Sequence, residues 1–209
     1  MANVEMTAPA PRPASEDARR ARILEGATRV FLAYGFQRTT MDDIARAAEI
    51  SRPALYLQFR NKTDIYRALA KEFLEKVLDA AREGLAREAP LSERLFTAVE
   101  CALAKTLEIE TSPHGADILD MKTSLAADIV TAGRAEFHDL VCGAIGAAAA
   151  GRGIDLAAGG WPAATLADIL LDALDGMRLR GLPPARQIEA ARAYVSIVAD
   201  AIDARATRN

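Results

Sequence analysis

Aromatic side chains make up only 5% of the 209 residues, and the chain holds just two cysteines, two histidines and one tryptophan. Each shortage excludes something. Cys101 and Cys142 stand outside any CxxC spacing, so no disulfide framework is expected and both thiols read as buried and reduced rather than as a redox sensor. Neither His114 nor His138 stands in a recognisable nucleophile or acid–base arrangement, and the paired acids Asp42-Asp43 are explained by helix capping, so no enzyme chemistry is expected. No Cys/His spacing supports a metal site, and no cofactor is implied. Apolar runs such as Ala144 to Ala150 stop well short of the roughly 18 residues that a membrane span needs, and the N-terminus lacks the apolar core of a leader peptide. A cytoplasmic protein without membrane association is the expectation.

What the chain does have is alanine and leucine at helical spacing, with few runs of Val, Ile or Thr that would favour strands. The fold class is therefore all-α. The formal net charge of -3 hides a division along the chain. Residues 12 to 62 carry ten Lys or Arg against six acids, a net of +4, whereas the remainder carries 16 bases and 23 acids, a net of -7. Only the first segment offers a surface suited to phosphate.

Residues 1–15 are rich in Pro and Ala without period and read as a disordered arm. From Glu16 the apolar positions Ile23, Leu24, Ala27, Val30 and Phe31 line one side of a helix, which Gly35 stops. Thr40-Met-Asp-Asp43 fits a capping box that opens a short second helix, ending at Ala48 to Ile50. Ser51 caps a third short helix with Pro53 in its first turn, and Asn61 caps a fourth that runs to about Leu85. Beyond Pro90, helices are predicted at about 91–109, 113–122, 124–150, 162–180 and 184–206, with a Gly-rich turn at 151–160.

Two short capped helices joined by a tight turn make a helix-turn-helix over residues 40–59, a weak signal of DNA binding when taken alone. The residues strengthen it. Ile23-Leu-Glu-Gly-Ala-Thr-Arg-Val-Phe31, Gly35-Phe36, Thr39-Thr40, Ile44-Ala45, Ala47-Ala48, Ser51, and the run L-Y-x-x-F-x-x-K formed by Leu55, Tyr56, Phe59 and Lys62 closely resemble the N-terminal domain of the tetracycline-repressor (TetR) family, over about residues 18–78. The resemblance implies a three-helix DNA-binding domain at 18–78, a helical effector-binding and dimerisation domain at 79–209, a homodimer, and a repressor released from a palindromic operator on double-stranded DNA by a small-molecule effector. It also implies roles. Thr40 would cap the second helix and touch a phosphate, and Arg38 and Thr39 beside it would belong to the DNA-binding surface; Tyr56 and Lys62 would grip the backbone; Arg52, Pro53, Ala54 and Gln58 would face the groove. Arg52 has the fork that suits guanine O6 and N7 and is the first candidate for specificity, with a phosphate contact or a solvated arginine as the alternative. The sequence departs from the family in the turn, where Glu49 stands in place of glycine at a position expected to need a positive φ.

The last two helices form a hairpin broken at Gly181-Leu-Pro-Pro184. Leu166, Ile169, Leu170, Ala173, Ala191, Val195, Val198 and Ile202 could complete a monomer core, or form the dimer interface that the resemblance favours. Candidates for an effector pocket are the large or polar residues of the middle helices: Phe73, Phe96, His114, Met121, Phe137, His138, Trp161 and Met177. His114 reads as a helix start and His138 as an exposed helical residue.

Overall fold

The structure is a computed structural model and describes residues 16–206; the N-terminal arm expected at 1–15 lies outside the described residues. Ten helical segments follow one another: α1 (Glu16–Tyr34), α2 (Met41–Ala47), α3 (Arg52–Gln58), α4 (Lys62–Leu85), α5 (Leu91–Glu110), α6 (Gly115–Asp120), α7 (Lys122–Leu125), α8 (Ala127–Ala150), α9 (Ala163–Leu179) and α10 (Pro184–Ala206). No strand occurs among the described residues.

Side-chain caps fix the first elements. α1 stops where Gly35 takes φ 81°. At α2 the Thr40 hydroxyl accepts from the Asp43 amide while the Asp43 carboxylate accepts from the Thr40 amide at 2.9 Å, the reciprocal capping box read from the sequence. These bonds from Thr40 hold the Asp43 carboxyl below the usual range. Ser51 Oγ accepts from the Ala54 amide at 3.3 Å and Asn61 Oδ1 from the Asp64 amide at 2.9 Å, starting α3 and α4. Glu49, in the turn between α2 and α3, has φ 54°, so a glutamate does occupy the left-handed backbone there.

Two hydrophobic clusters organise the chain. The lower cluster gathers Ile23, Ile44, Leu55 and Ile65, all fully buried, with Phe31, Phe36, Phe59 and Tyr66 around them. The upper cluster is built on Leu95, Val99, Val141, Leu170, Val195 and Ile202 from α5, α8, α9 and α10, together with Val77 and Ala81 of α4. α4 contributes to both: Leu69 and Ala70 pack below, and Phe73 packs above. No linker intervenes.

Two expectations needed correction. The helix expected at 113–122 is two shorter ones, α6 and α7, that meet at Met121, and both lean on the lower cluster through Ile118, Met121 and Leu125. The hairpin residues Leu170, Ala191, Val195, Val198 and Ile202 are buried within this chain's own upper cluster, at 0–6% exposure, so they are monomer core rather than interface. Their side chains are consumed by α5 and α8, which the helical period of α9 and α10 alone could not reveal.

Candidate nucleic-acid interface and adjoining cavity

The lower cluster presents α3 outward. Leu55 is buried and Phe59, just past the helix end, is also buried, while Arg52, Pro53, Tyr56 and Leu57 are exposed. α1 and α2 meet at Gly26, where a Cβ would come within 2.8 Å of the Ala48 backbone nitrogen. Arg29 clamps the same junction by donating to the Ala47 carbonyl. Such close backbone approach fixes α2, and through the turn it fixes the direction of α3.

The residues assigned to DNA fall into two groups. Arg38, Thr40, Arg52, Pro53 and Tyr56 are exposed and Ala54 and Gln58 half-buried, all near the α2–α3 pair. Arg52 donates to Asp42 at 3.0 Å and its guanidinium lies 5.6 Å from the centre of the Tyr56 ring. The Tyr56 hydroxyl and then the Asp42 carboxylate push the Arg52 guanidinium above its ordinary pKa. Gln58 donates to Glu16 at 3.1 Å. Both long side chains at the ends of α3 thus have partners inside the chain.

Thr39 and Lys62 belong elsewhere. Thr39 is 2% exposed and donates to the Gly35 carbonyl at 2.8 Å, so it closes the loop after α1 instead of reaching phosphate. Lys62 Nζ donates to the carbonyls of Phe36, Gln37 and Thr39 at 2.8, 3.1 and 3.1 Å and sits 4.6 Å from the centre of the Phe36 ring. An ammonium has three donors, and all three point into the 36–39 loop. Lys62 is a staple of that loop, and the backbone-gripping role implied by the resemblance does not fit this geometry. The signal that could have shown this is the loop itself, whose carbonyls follow a helix end and need donors.

Above the module lies a cavity of about 370 Å³ between α1, α4, α5, α6 and α8. Phe31, Leu32, Tyr66, Leu69, Leu74 and Ile109 are among its walls, with Lys76 and Lys105 also lining it. Of the eight pocket candidates only Phe73 lines this space. Phe96, Phe137 and Met177 are buried core, and Phe96 carries the Arg192 guanidinium 3.6 Å from its ring centre. Trp161 is 44% exposed ahead of α9. Met121 packs on the lower cluster, His114 lies against Gly35 and donates its amide to the Leu32 carbonyl, and His138 is partly covered between Asp139 and Asp168. Size and polarity were poor guides because the cavity is defined by where α4 crosses α1 and α6.

Several polar contacts tie the module to the body around this cavity. Tyr66, on the cavity wall, donates to the Ile118 carbonyl at 2.7 Å, and burial pushes its hydroxyl up to about 12. Arg67 grips Asp128 through two bonds at 2.7 and 2.6 Å and also donates to the Leu125 carbonyl.

Residues 23–69, the stretch that carries the capped pair and its core, match the profile of the bacterial regulatory proteins of the tetR family. This N-terminal module, residues 23–69, is a tetR-family module. Among characterised relatives, it is similar to the transcriptional activator FasR of Mycolicibacterium smegmatis, 33% identical over 40% of this chain and 38% of that protein. It is likewise similar to the transcriptional repressor Rv1474c of Mycobacterium tuberculosis, 43% identical over 34% of this chain and 40% of that one. The matched region thus spans about two fifths of these relatives' length. Among solved structures, the fatty acid degradation regulator FadR of Bacillus halodurans matches with a TM-score of 0.65 at 15% identity, covering 90% of this chain and 96% of that one. The tetR-family regulator PfmR of Thermus thermophilus matches with a TM-score of 0.61 at 23% identity, covering 86% and 97%. Sequence likeness therefore concentrates in the tetR-family module, and fold likeness extends across the body.

Proposed function

We propose that this chain is a cytoplasmic transcriptional regulator that binds double-stranded DNA as a homodimer, with α3 entering the major groove, and that it represses from a palindromic operator until a small molecule enters the cavity. The observation that carries the reading is the outward face of α3: a short helix, capped at Ser51 and seated on Leu55, whose other residues have no core to fill. Selection of bound fragments from random DNA tests it. Enrichment of a palindrome, with affinity that falls steeply as salt rises, is the expected result; no enriched sequence at low salt would refute the reading.

A two-fold axis would place two α3 helices about 34 Å apart, one turn of the duplex. Support for a second copy lies on the α9–α10 pair, where Ile169 is 47% and Ile197 65% exposed. Ile197→Glu is expected to yield monomers by sedimentation and to weaken operator binding.

Release by a ligand is supported by the cavity's position. Phe31 and Leu32 of α1 form one wall and Ile109 and Ile118 of α5 and α6 another, so an occupant touches the DNA-binding module and the body at once. The lining is mostly apolar, which suits a small, mostly apolar molecule. Such a molecule shifts DNA affinity only by the difference in its affinity for the two states, and DNA must reciprocally weaken the ligand by the same factor. Leu69→Trp, which fills the space, is expected to mimic the ligand and lower operator affinity without one.

A further inference from the structure

The outer face of α3 has an unusual chemistry for a surface that meets DNA. Successive residues of a helix step by about 100°, so with Leu55 directed into the core the opposite direction belongs to Pro53 and Leu57, four residues apart. Leu57 is 83% exposed, more than Leu179 at a helix end or Ile197 on α10. A single exposed leucine means little. Its surroundings give it meaning: Pro53 and Ala54 share the outer part of the helix, and none of the three side chains can donate or accept a hydrogen bond. Of the side chains that can, Arg52 and Gln58 stand at the two ends and are tied to Asp42 and Glu16, and Tyr56 lies to one side with its ring against the Arg52 guanidinium. The outward line from Pro53 to Leu57 is therefore an apolar strip, with Tyr56 beside it.

One base carries an apolar group on its major-groove edge, and that is thymine, through its C5 methyl. Resting on the reading of α3 as a major-groove helix, we propose that Leu57, with Pro53 beside it, is a specificity-determining residue that recognises thymine methyl groups in each half-site. The strip is continuous with the proposed DNA interface and lies at its most outward point, where a buried hydrogen-bonding base edge would find no partner but a methyl group would lose water against leucine. Arg52, Pro53, Ala54, Tyr56 and Gln58, to which the family resemblance gives DNA roles, surround Leu57, to which it gives none.

The test uses the full chain and the sequences it enriches from random DNA. In the best duplex each thymine is replaced singly by deoxyuridine, which removes the methyl and keeps the pairing, and affinity is measured for the native protein and for Leu57→Ala. At one or two positions per half-site, loss of the methyl is expected to weaken the native protein about 4-fold, the equivalent of roughly one buried methyl group. Leu57→Ala is expected to lose a similar factor on the thymine duplex and to be indifferent to deoxyuridine at those positions, with an unchanged melting temperature and salt slope. Native protein that tolerates deoxyuridine everywhere would overturn the proposal, as would Leu57→Ala losing equally on thymine and deoxyuridine duplexes. Failure to enrich any sequence would overturn the DNA-binding reading and this proposal with it, whereas enrichment without a methyl effect overturns this proposal alone.

Discussion

The two hydrophobic clusters stand on helices that begin in different ways. In the lower one, α2, α3 and α4 each start with a side chain that accepts from an orphan amide: Thr40, Ser51 and Asn61. In the upper one, α5 and α8 follow Pro90 and Ala126, neither of which makes such a bond, and the short α6 and α7 that lean on the lower cluster are uncapped as well. The first region is placed by local chemistry, so that the chain direction at each junction is set before the core closes. The second is placed by burial, and its helices find their ends where the apolar surface runs out. Under the proposed function, a module that aims α3 gains from the first arrangement and a body that takes up a ligand gains from the second.

The contrast is broken most severely at Gly26. Gly26→Ala puts a methyl against the Ala48 backbone and is expected to cost about 2–3 kcal/mol in urea unfolding and to abolish operator binding, while a similar change at Gly143, whose Cβ would meet nothing within 4 Å, is expected to leave both intact. Equal tolerance at the two sites would show that α1 and α2 are not locked together.

Next in size is Lys62→Met. It removes three charge-assisted bonds to the 36–39 loop and is expected to cost about 2 kcal/mol of stability, with the slope of DNA affinity against salt unchanged. A normal urea midpoint with a slope lower by about 1 would return Lys62 to the phosphate backbone.

A smaller effect, of opposite sign, is expected at Glu49. Glu49→Gly relieves a left-handed backbone at φ 54° and should raise the stability of the module by about 1 kcal/mol, read as a higher melting temperature. A fall would mean that the glutamate side chain contributes more than its backbone strain removes.

The smallest effect joins the two regions. The hydrogen bonds from Arg67 hold the Asp128 carboxyl down to about 2, against an ordinary 3.8. A depressed carboxylate contributes stability that is present above its unfolded pKa and fades as pH falls through the folded one. The difference in urea midpoint between the native protein and Asp128→Asn should therefore be constant from neutral pH to about pH 4 and vanish toward pH 2. A difference that persists at pH 2 would mean that the asparagine acts through packing and not through charge.

These contrasts also explain what the sequence disclosed. The capped starts at Thr40, Ser51 and Asn61 and the stop at Gly35 were legible because each depends on residues within a few positions, and their boundaries in the structure fall where the residues put them. The all-helical fold followed from periodicity. Roles that depend on distant partners were not legible: Lys62 reaches back to a loop 23 to 26 residues earlier, Gln58 reaches Glu16, and Leu170, Val195 and Ile202 face α5 and α8 instead of solvent. The cavity escaped for the same reason, since α1, α4 and α6 enclose it only once they are folded together.

The unbroken α4 has a consequence for anyone who would exchange parts between related regulators. Because one helix carries both clusters, with the handover between Ala70 and Phe73, the module and body share a rotational phase. A chimaera joined within α4 transmits that phase faithfully only if the count of residues is kept: a single insertion there would turn the body by about 100° about the α4 axis relative to the recognition surface and shift it by about 1.5 Å. Recombination at this point is thus governed by counting residues rather than by matching them, and two parents of low identity should still yield working hybrids when their fourth helices are cut at equivalent positions.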